Sequence, residues 1–302
     1  MGADELKPLC RIACNYCESN LRFISGNRPG LLKDLSDLIS DTYYLTPATA
    51  ASDLNSLFTF ALINLVQPVT NYALHSVLDC APYSTIFSIR LIIESLAAGL
   101  YADRLFGNAR LEERLRLARN FEMGMFRRCE EGRGGKNHGL CSQYESLSHE
   151  VNEALGWSMG QLSSFFGTGT EPMDVIYDTY NSLSKLIHAV AMIDGKNVLG
   201  ALRIIAADYV HSKDGFPPMR TIVMPVECDE NDLVLLDVIH WKILLTRLSM
   251  DMLIYAWGAV TKCMSNEELE KAKAKIEETL KRIDEVGKEL KNRYESDAKA
   301  NN

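Results

Sequence analysis

The sequence predicts an all-α protein, a multi-helix bundle with a long charged C-terminal helix. Three observations carry this prediction. Leu, Ile, Met and Ala recur at helical spacing through nearly every segment, and Gly and Pro interrupt the pattern at intervals of about 20 residues. From Ser265 onward Glu and Lys alternate around a single apolar stripe. With 302 residues, 47% hydrophobic and 24% charged, the chain has the composition of an ordinary globular protein, which excludes collagen-like and wholly disordered classes.

The periodicity predicts helices over Asp4–Ile24, Arg28–Ser40, Ser52–Cys80 with a bend at Pro68, Pro82–Phe106 and Asn108–Glu131. Further helices are predicted over Leu140–Phe166, Met173–Ile193, Lys196–Val210, Asp229–Met264 and Asn266–Glu295. Pro172 follows a polar residue and suits the first turn of a helix, where its missing N–H is no loss. Ser265 and Glu268 have the spacing of a capping box, each side chain serving a backbone N–H that the helix leaves unpaired. The glycine-rich stretch Glu131–Gly139 contains no apolar residue and reads as a surface loop. Arg220–Pro225 has the β-branched character of a short extended segment. In the last helix Leu269, Ile276, Ile283 and Leu290 repeat every seven residues, with Ala272, Thr279 and Val286 between them. That stripe either docks on the rest of the chain or pairs two copies as a homodimer. The expected division is a bundle over residues 1–264 and a charged helix and tail over 265–302.

Net charge is −8, from 32 basic and 40 acidic residues, so the surface as a whole does not suit wrapping of nucleic acid. The opening MGADELKPLC lacks a basic region leading into an apolar one, which points to a cytoplasmic protein. The longest apolar run, Leu57–Val66, is interrupted by Thr59 and Asn64 and reads as a core helix, with no membrane partner expected. Eight cysteines in such a compartment are expected to be free thiols that pack as small hydrophobes.

The most informative helix is Pro82–Phe106. From Ser84 to Tyr101 it is apolar or small on every side, and its only charges are Arg90 and Glu94. A helix apolar all round is a buried one, and two charges four residues apart within it can pair. Either alone would cost several kcal/mol to bury, on the order of 3–5. The pair is either a structural lock or part of a polar interior site. A second polar row, Tyr180, Ser184 and His188 at four-residue spacing, lies on the helix Met173–Ile193.

Arg90-Leu-Ile-Ile-Glu94 followed by Leu183-Ser-Lys-Leu-Ile-His188 resembles a group of helical proteins related to the HEPN (higher eukaryotes and prokaryotes nucleotide-binding) superfamily, over about Asn55 to Ala191. The resemblance implies a helical bundle, often dimeric, and in many members metal-independent ribonuclease activity from an Arg and a His near each other on one helix. Here the fourth residue after Arg90 is Glu94, and the matching His188 lies on another helix. On this reading the partner is RNA or a nucleotide. His188 would act as general base on a ribose 2′-hydroxyl, with Ser184 beside it. Arg90 would stabilise the charge on the phosphorane, and Glu94 would orient one of them.

Cys10, Cys14 and Cys17 have the C-x₃-C-x₂-C spacing of the cluster loop in radical S-adenosylmethionine enzymes. No strand precedes them in the sequence pattern and positions 10, 14 and 17 share one helical face, so core packing is the reading adopted and no metal or cofactor is expected. Arg104–Lys136 holds nine basic residues, among which Arg110, Arg114 and Arg128 align best as a groove for phosphates. Two functional classes therefore stay open: a HEPN-like RNA-processing or nucleotide-binding protein, and a non-enzymatic interaction or scaffold protein in which the interior charges lock the core.

Overall fold

A computed structural model describes residues 16–46, 56–114 except Phe106 and Asn108, Glu153, 172–191 and 227–300. Among these, nine residues in ten are helical and there is no strand. The helices are α1 (16–27), α2 (Pro29–Tyr44), α3 (Leu57–Leu78), α4 (Pro82–Leu105), α5 (Pro172–Ala191), α6 (Leu233–Thr261) and α7 (Asn266–Ala300). The all-α bundle expected from periodicity is what forms. Of the expected helices, residues 4–15 of Asp4–Ile24, 52–55 of Ser52–Cys80, 115–131 of Asn108–Glu131, Leu140–Phe166 apart from Glu153, and Lys196–Val210 lie outside the described residues, as do the glycine-rich loop and the Arg220–Pro225 segment.

Helix α6 is the axis of the bundle, with α7, α4, α2 and α5 packed around it. It is buried on all sides, from Leu235 to Gly258, because Leu, Ile, Val and Met occupy every face. A 3₁₀ turn over Glu230–Asp232 leads into it and carries a capping box: Asp229 Oδ1 accepts from the Asn231 N–H at 2.8 Å, and the Asp229 N–H donates to Asp232 Oδ2 at 2.9 Å. The helix stops at Lys262, whose φ of 56° is left-handed.

The bend expected at Pro68 takes the form of a π-helical turn over Leu62–Val66 just ahead of it. Proline lacks the N–H that residue 64 would bond, so the turn widens and the Gln67 N–H reaches five residues back to the Leu62 carbonyl. Helices α3 and α4 lie against each other at very short range: a Cβ on Gly99 would stand 2.7 Å from Phe58 Cα. Leu57–Leu78 and Ser84–Arg104 are each long and apolar enough to cross a membrane, with mean hydropathies of 1.2 and 1.4, and 44% and 67% of these stretches are buried in the bundle.

The α7 stripe docks on α6. Ala272, Ile276, Thr279, Ile283 and Val286 are all buried, and the apolar ones belong to the same core as α6 and α4. Its capping box forms as expected, with the Ser265 N–H donating to Glu268 at 2.7 Å.

One expectation about cysteine fails. Cys80 and Cys228 are joined in a disulfide across 148 residues of sequence, with Cα atoms 5.6 Å apart. Cys17 and Cys263 form no disulfide among the described residues.

Candidate functional site

Arg90 sits midway along α4 on the side that meets α5. Its side chain is 13% exposed and that of Glu94 is 15% exposed, and the two pair at 3.4 Å, as the i, i+4 spacing predicts. Facing them on α5 is Tyr180. Arg90 Nη2 donates to the Tyr180 hydroxyl at 2.8 Å, and the guanidinium carbon lies 5.0 Å from the centre of the same ring. Arg90 Nε is buried and has no hydrogen-bond partner among the described residues. Elsewhere on α5, Lys242 of α6 reaches Ser182, where Nζ donates to Oγ at 3.0 Å. Two cations, a carboxylate, a phenol and a hydroxyl thus cross-link α4, α5 and α6.

Ser184 and His188 lie on α5, one and two turns beyond Tyr180, and their side chains are outside the described residues. Of the residues assigned to chemistry from the sequence, the structure brings together Arg90 and Glu94, and Tyr180 of the polar row on α5 joins them. The sequence pattern does not single out Lys242 or Ser182.

A larger polar array lies on the opposite side of α6, between α2 and α7. Asp34, Asp37 and Asp41 follow one another along α2 at helical spacing and face α6 and α7. Asp34 receives His240 Nε2 at 2.6 Å and Arg282 Nε at 3.0 Å. Burial pushes the Asp34 carboxyl up, but the bonds from His240 and Arg282 outweigh it and hold it below the ordinary carboxylate range. Asp41 receives Arg247 Nε at 2.5 Å and Lys275 Nζ at 3.2 Å, while Arg247 Nη2 reaches Glu278 at 3.2 Å.

Asp237 is held by Arg28 at 2.5 and 2.9 Å, Arg293 at 2.6 Å and the Tyr294 hydroxyl at 2.8 Å. Asp251 takes one bond, from Thr279 Oγ1 at 3.0 Å, and its Oδ1 has no partner among the described residues. Burial, reinforced by the Asp41 carboxylate, raises the Asp251 carboxyl well above the ordinary range against the pull of Arg247.

In α7 the sequence sets Glu267 with Lys271, Glu277 with Lys281, Glu278 with Arg282 and Glu289 with Arg293 four residues apart, a spacing that predicts surface pairs. Glu267 and Lys271 do pair, at 2.8 Å. Arg282 and Arg293 instead turn inward to Asp34 and Asp237, because a buried carboxylate attracts a cation more strongly than a solvated one does. The array was visible in principle. The reasoning that singles out Arg90 and Glu94, charges on a helix apolar all round, applies equally to Asp237, His240, Lys242, Arg247 and Asp251 on α6.

The third polar centre is Asp103, near the end of α4. Its carboxylate accepts from Ser56 Oγ at 2.5 Å, the Leu57 N–H at 2.8 Å, the Phe58 N–H at 3.0 Å, Trp257 Nε1 at 3.3 Å and Arg114 Nη1 at 3.2 Å. A side chain of α4 thus caps the N-terminus of α3. Arg114, one of the arginines aligned in the sequence as a phosphate groove, is buried and bonded to Asp103 and to the Ala109 carbonyl. Arg110 is exposed, and Arg128 lies outside the described residues.

Cys17 is half-buried on α1 and its thiol donates to Asp79 Oδ1 at 3.3 Å, whereas Cys10 and Cys14 lie outside the described residues. No family model matches the chain, and neither a curated protein nor a solved structure does.

Proposed function

We propose that this chain is a non-enzymatic interaction or scaffold protein whose interior charges lock its helices in register. The observation that carries the reading is that the contacts of Arg90 belong to a series of buried polar links, each of which joins different helices. Asp34, Asp41 and Asp237 tie α2 and α6 to α7 and to the start of α2, and Asp103 ties α3 to α4 and α6. In that company the contact of Arg90, held by Glu94, to Tyr180 is the lock between α4 and α5. Buried charges are costly to strip of a partner, and a series of them penalises any slip of one helix along another.

The outer sides of α3 and of the first turns of α4 suit contact with an apolar protein surface. Between Leu54 and Ile89 the only Asp, Glu, Lys or Arg is Asp79, and Phe60, Leu65, Tyr72 and Phe87 are exposed there. On a chain of net charge −8 this is where a partner meets no charge to desolvate.

The second reading, a HEPN-like protein acting on RNA or a nucleotide through Arg90, Glu94 and His188, is favoured by the buried Nε of Arg90, a donor with no partner among the described residues. One experiment separates the two. Purified protein is assayed on several RNAs and tested for nucleotide binding, while Arg90→Lys, Tyr180→Phe and His188→Ala are compared with it in thermal melting. The lock predicts no cleavage, and lower melting temperatures for Arg90→Lys and Tyr180→Phe. RNA cleavage abolished by Arg90→Lys or His188→Ala at unchanged melting temperature overturns it.

A further inference from the structure

The disulfide lies in a junction that its own chemistry does not account for. Cys80 Sγ, Cys228 Sγ and a carboxylate oxygen of Asp232 all lie within 4.8 Å of one another, and all three residues are buried. Asp232 Oδ2 stands 3.6 Å from Cys80 Sγ. A disulfide sulfur carries no hydrogen to donate, so in the oxidised state this carboxylate gains nothing from it. A thiol or a metal-bound thiolate in the same place would interact with it directly.

The three groups are also placed by devices that do not depend on the S–S bond. Cys80 occupies the left-handed closing position of α3, with φ of 52°, and the Ala81 N–H returns to the Ser76 carbonyl at 2.8 Å. Glycine is the usual occupant there, and a cysteine accepts strain to put its sulfur at this point. On the other side, Asn20 of α1 clamps both strands of the junction: Nδ2 donates to the Leu78 carbonyl at 2.9 Å and Oδ1 accepts from the Cys228 N–H at 2.7 Å. Asp232 is fixed by the capping box at the entry to α6. Reduction would therefore leave the two sulfurs and the carboxylate converged.

We propose that Cys80, Cys228 and Asp232 form a redox-gated site for a thiophilic divalent cation such as Zn²⁺. Two thiolates and one carboxylate are three ligands of a tetrahedral zinc site, with the fourth position left to water or another donor. Ligands at about 2.0–2.3 Å from such an ion stand roughly 3.5–3.8 Å from each other, which the spacing of the three groups admits with small side-chain movement. Thiolates select Zn²⁺ over Mg²⁺ or Ca²⁺. The cation also solves the electrostatic problem of the reduced site, where two thiolates and a carboxylate would otherwise bring three negative charges together in a buried place.

A cellular dithiol gives two electrons and two protons to the disulfide, yielding two thiols and the oxidised cyclic disulfide of the reductant. The cation then binds the two sulfurs and releases both protons. Cys17, one turn from Asn20 on the same face of α1 and bonded to Asp79, places a third thiol at the same junction.

The test uses the full chain, oxidised and after reduction by a phosphine, titrated with Co²⁺ under anaerobic conditions. The expected result is a thiolate-to-cobalt charge-transfer band that saturates at one Co²⁺ per reduced chain and is absent from the oxidised chain. Cys80→Ser and Cys228→Ser each abolish the band, Asp232→Asn weakens binding by about tenfold or more, and Cys10→Ser with Cys14→Ser leaves it intact. A measurement that needs no variant accompanies this: Zn²⁺ added to the reduced wild-type chain protects Cys80 and Cys228 from alkylation, read by mass spectrometry. Unprotected cysteines in the reduced chain overturn the site. So does a band that survives loss of Cys80 and Cys228, or one that requires Cys10 and Cys14.

Discussion

Replacement of Asp103 by Asn is the sharpest probe of how this bundle is held. The two side chains have nearly the same volume, so no cavity opens and the effect is electrostatic. Both carboxylate oxygens accept from N–H donors: Oδ1 from Leu57 and Arg114, Oδ2 from Phe58 and Trp257 as well as from Ser56. Whichever way the amide is turned, its NH₂ therefore faces a backbone N–H that cannot rotate away. Two or three buried donors lose their acceptor, at about 1–3 kcal/mol each, and Arg114 loses its counter-charge. Removing one partner of a buried pair costs about 3–5 kcal/mol by itself. The effects overlap, so the expected loss is roughly 3–5 kcal/mol, a large part of the ~5–15 kcal/mol by which a folded chain is stable. At about 2–4 °C per kcal/mol for a protein of somewhat smaller size, the melting temperature should fall by at least ~6 °C. Urea unfolding followed by far-ultraviolet circular dichroism measures the loss directly. An Asp103→Asn variant within about 1 kcal/mol of wild type would refute the assignment of Asp103 as the external cap of α3.

Gly99→Ala should destabilise, although alanine is the better helix former by about 1 kcal/mol. Its Cβ would meet Phe58 Cα at 2.7 Å and N at 2.9 Å, both backbone atoms, and a net loss of about 1–3 kcal/mol in urea unfolding is expected. Asp34, whose folded-state carboxyl lies below its ordinary 3.8, contributes stability that is present above that value and lost as pH falls through the lowered one. Acid titration of unfolding should accordingly show a flatter low-pH limb for Asp34→Asn than for wild type, and parallel limbs would exclude the role. Asp251 has the opposite sign. Its carboxyl is raised, so wild-type stability falls as pH climbs from the ordinary carboxylate range through the raised value. Asp251→Asn should raise the melting temperature at neutral pH, with the gain vanishing below the ordinary range; a variant less stable than wild type at neutral pH would contradict this.

Much of the fold was legible because helical periodicity reports directly which face is buried. The starts at Pro82 and Asn266 and the docked stripe of α7 follow from local rules of capping and spacing. Where the helices run longer than the pattern, tertiary pairing is the cause. Helix α2 reaches Tyr44 instead of Ser40 because Asp41 and Thr42 belong to its buried face, with Asp41 bonded to Arg247. The disulfide was not legible. Nothing local distinguishes Cys80 or Cys228 from the other cysteines, and their meeting depends on how α1, the α3–α4 turn and the entry to α6 come together.

The interior charges show what separates a legible residue from a legible site. A charge on a helix that is apolar all round can be recognised from sequence, and that is what marks Arg90 and Glu94. Its partner cannot, unless it lies on the same helix. The partners of Asp34, Asp41 and Asp237 sit about 200 or more residues away in the chain or on a helix whose exposed-looking Glu and Lys pattern conceals which members turn inward. Arg282 and Glu278 are an ordinary i, i+4 surface pair by spacing, yet Arg282 turns to Asp34 while Glu278 meets Arg247. A single isolated ion pair in such a helix argues for a special role at that point. Once α6 is seen to carry Asp237, His240, Lys242, Arg247 and Asp251, all buried, burial of charge becomes the way this bundle fixes its register. Within that pattern Arg90 Nε and Asp251 Oδ1 stand out alike, as the buried atoms of charged side chains that have no hydrogen-bond partner among the described residues.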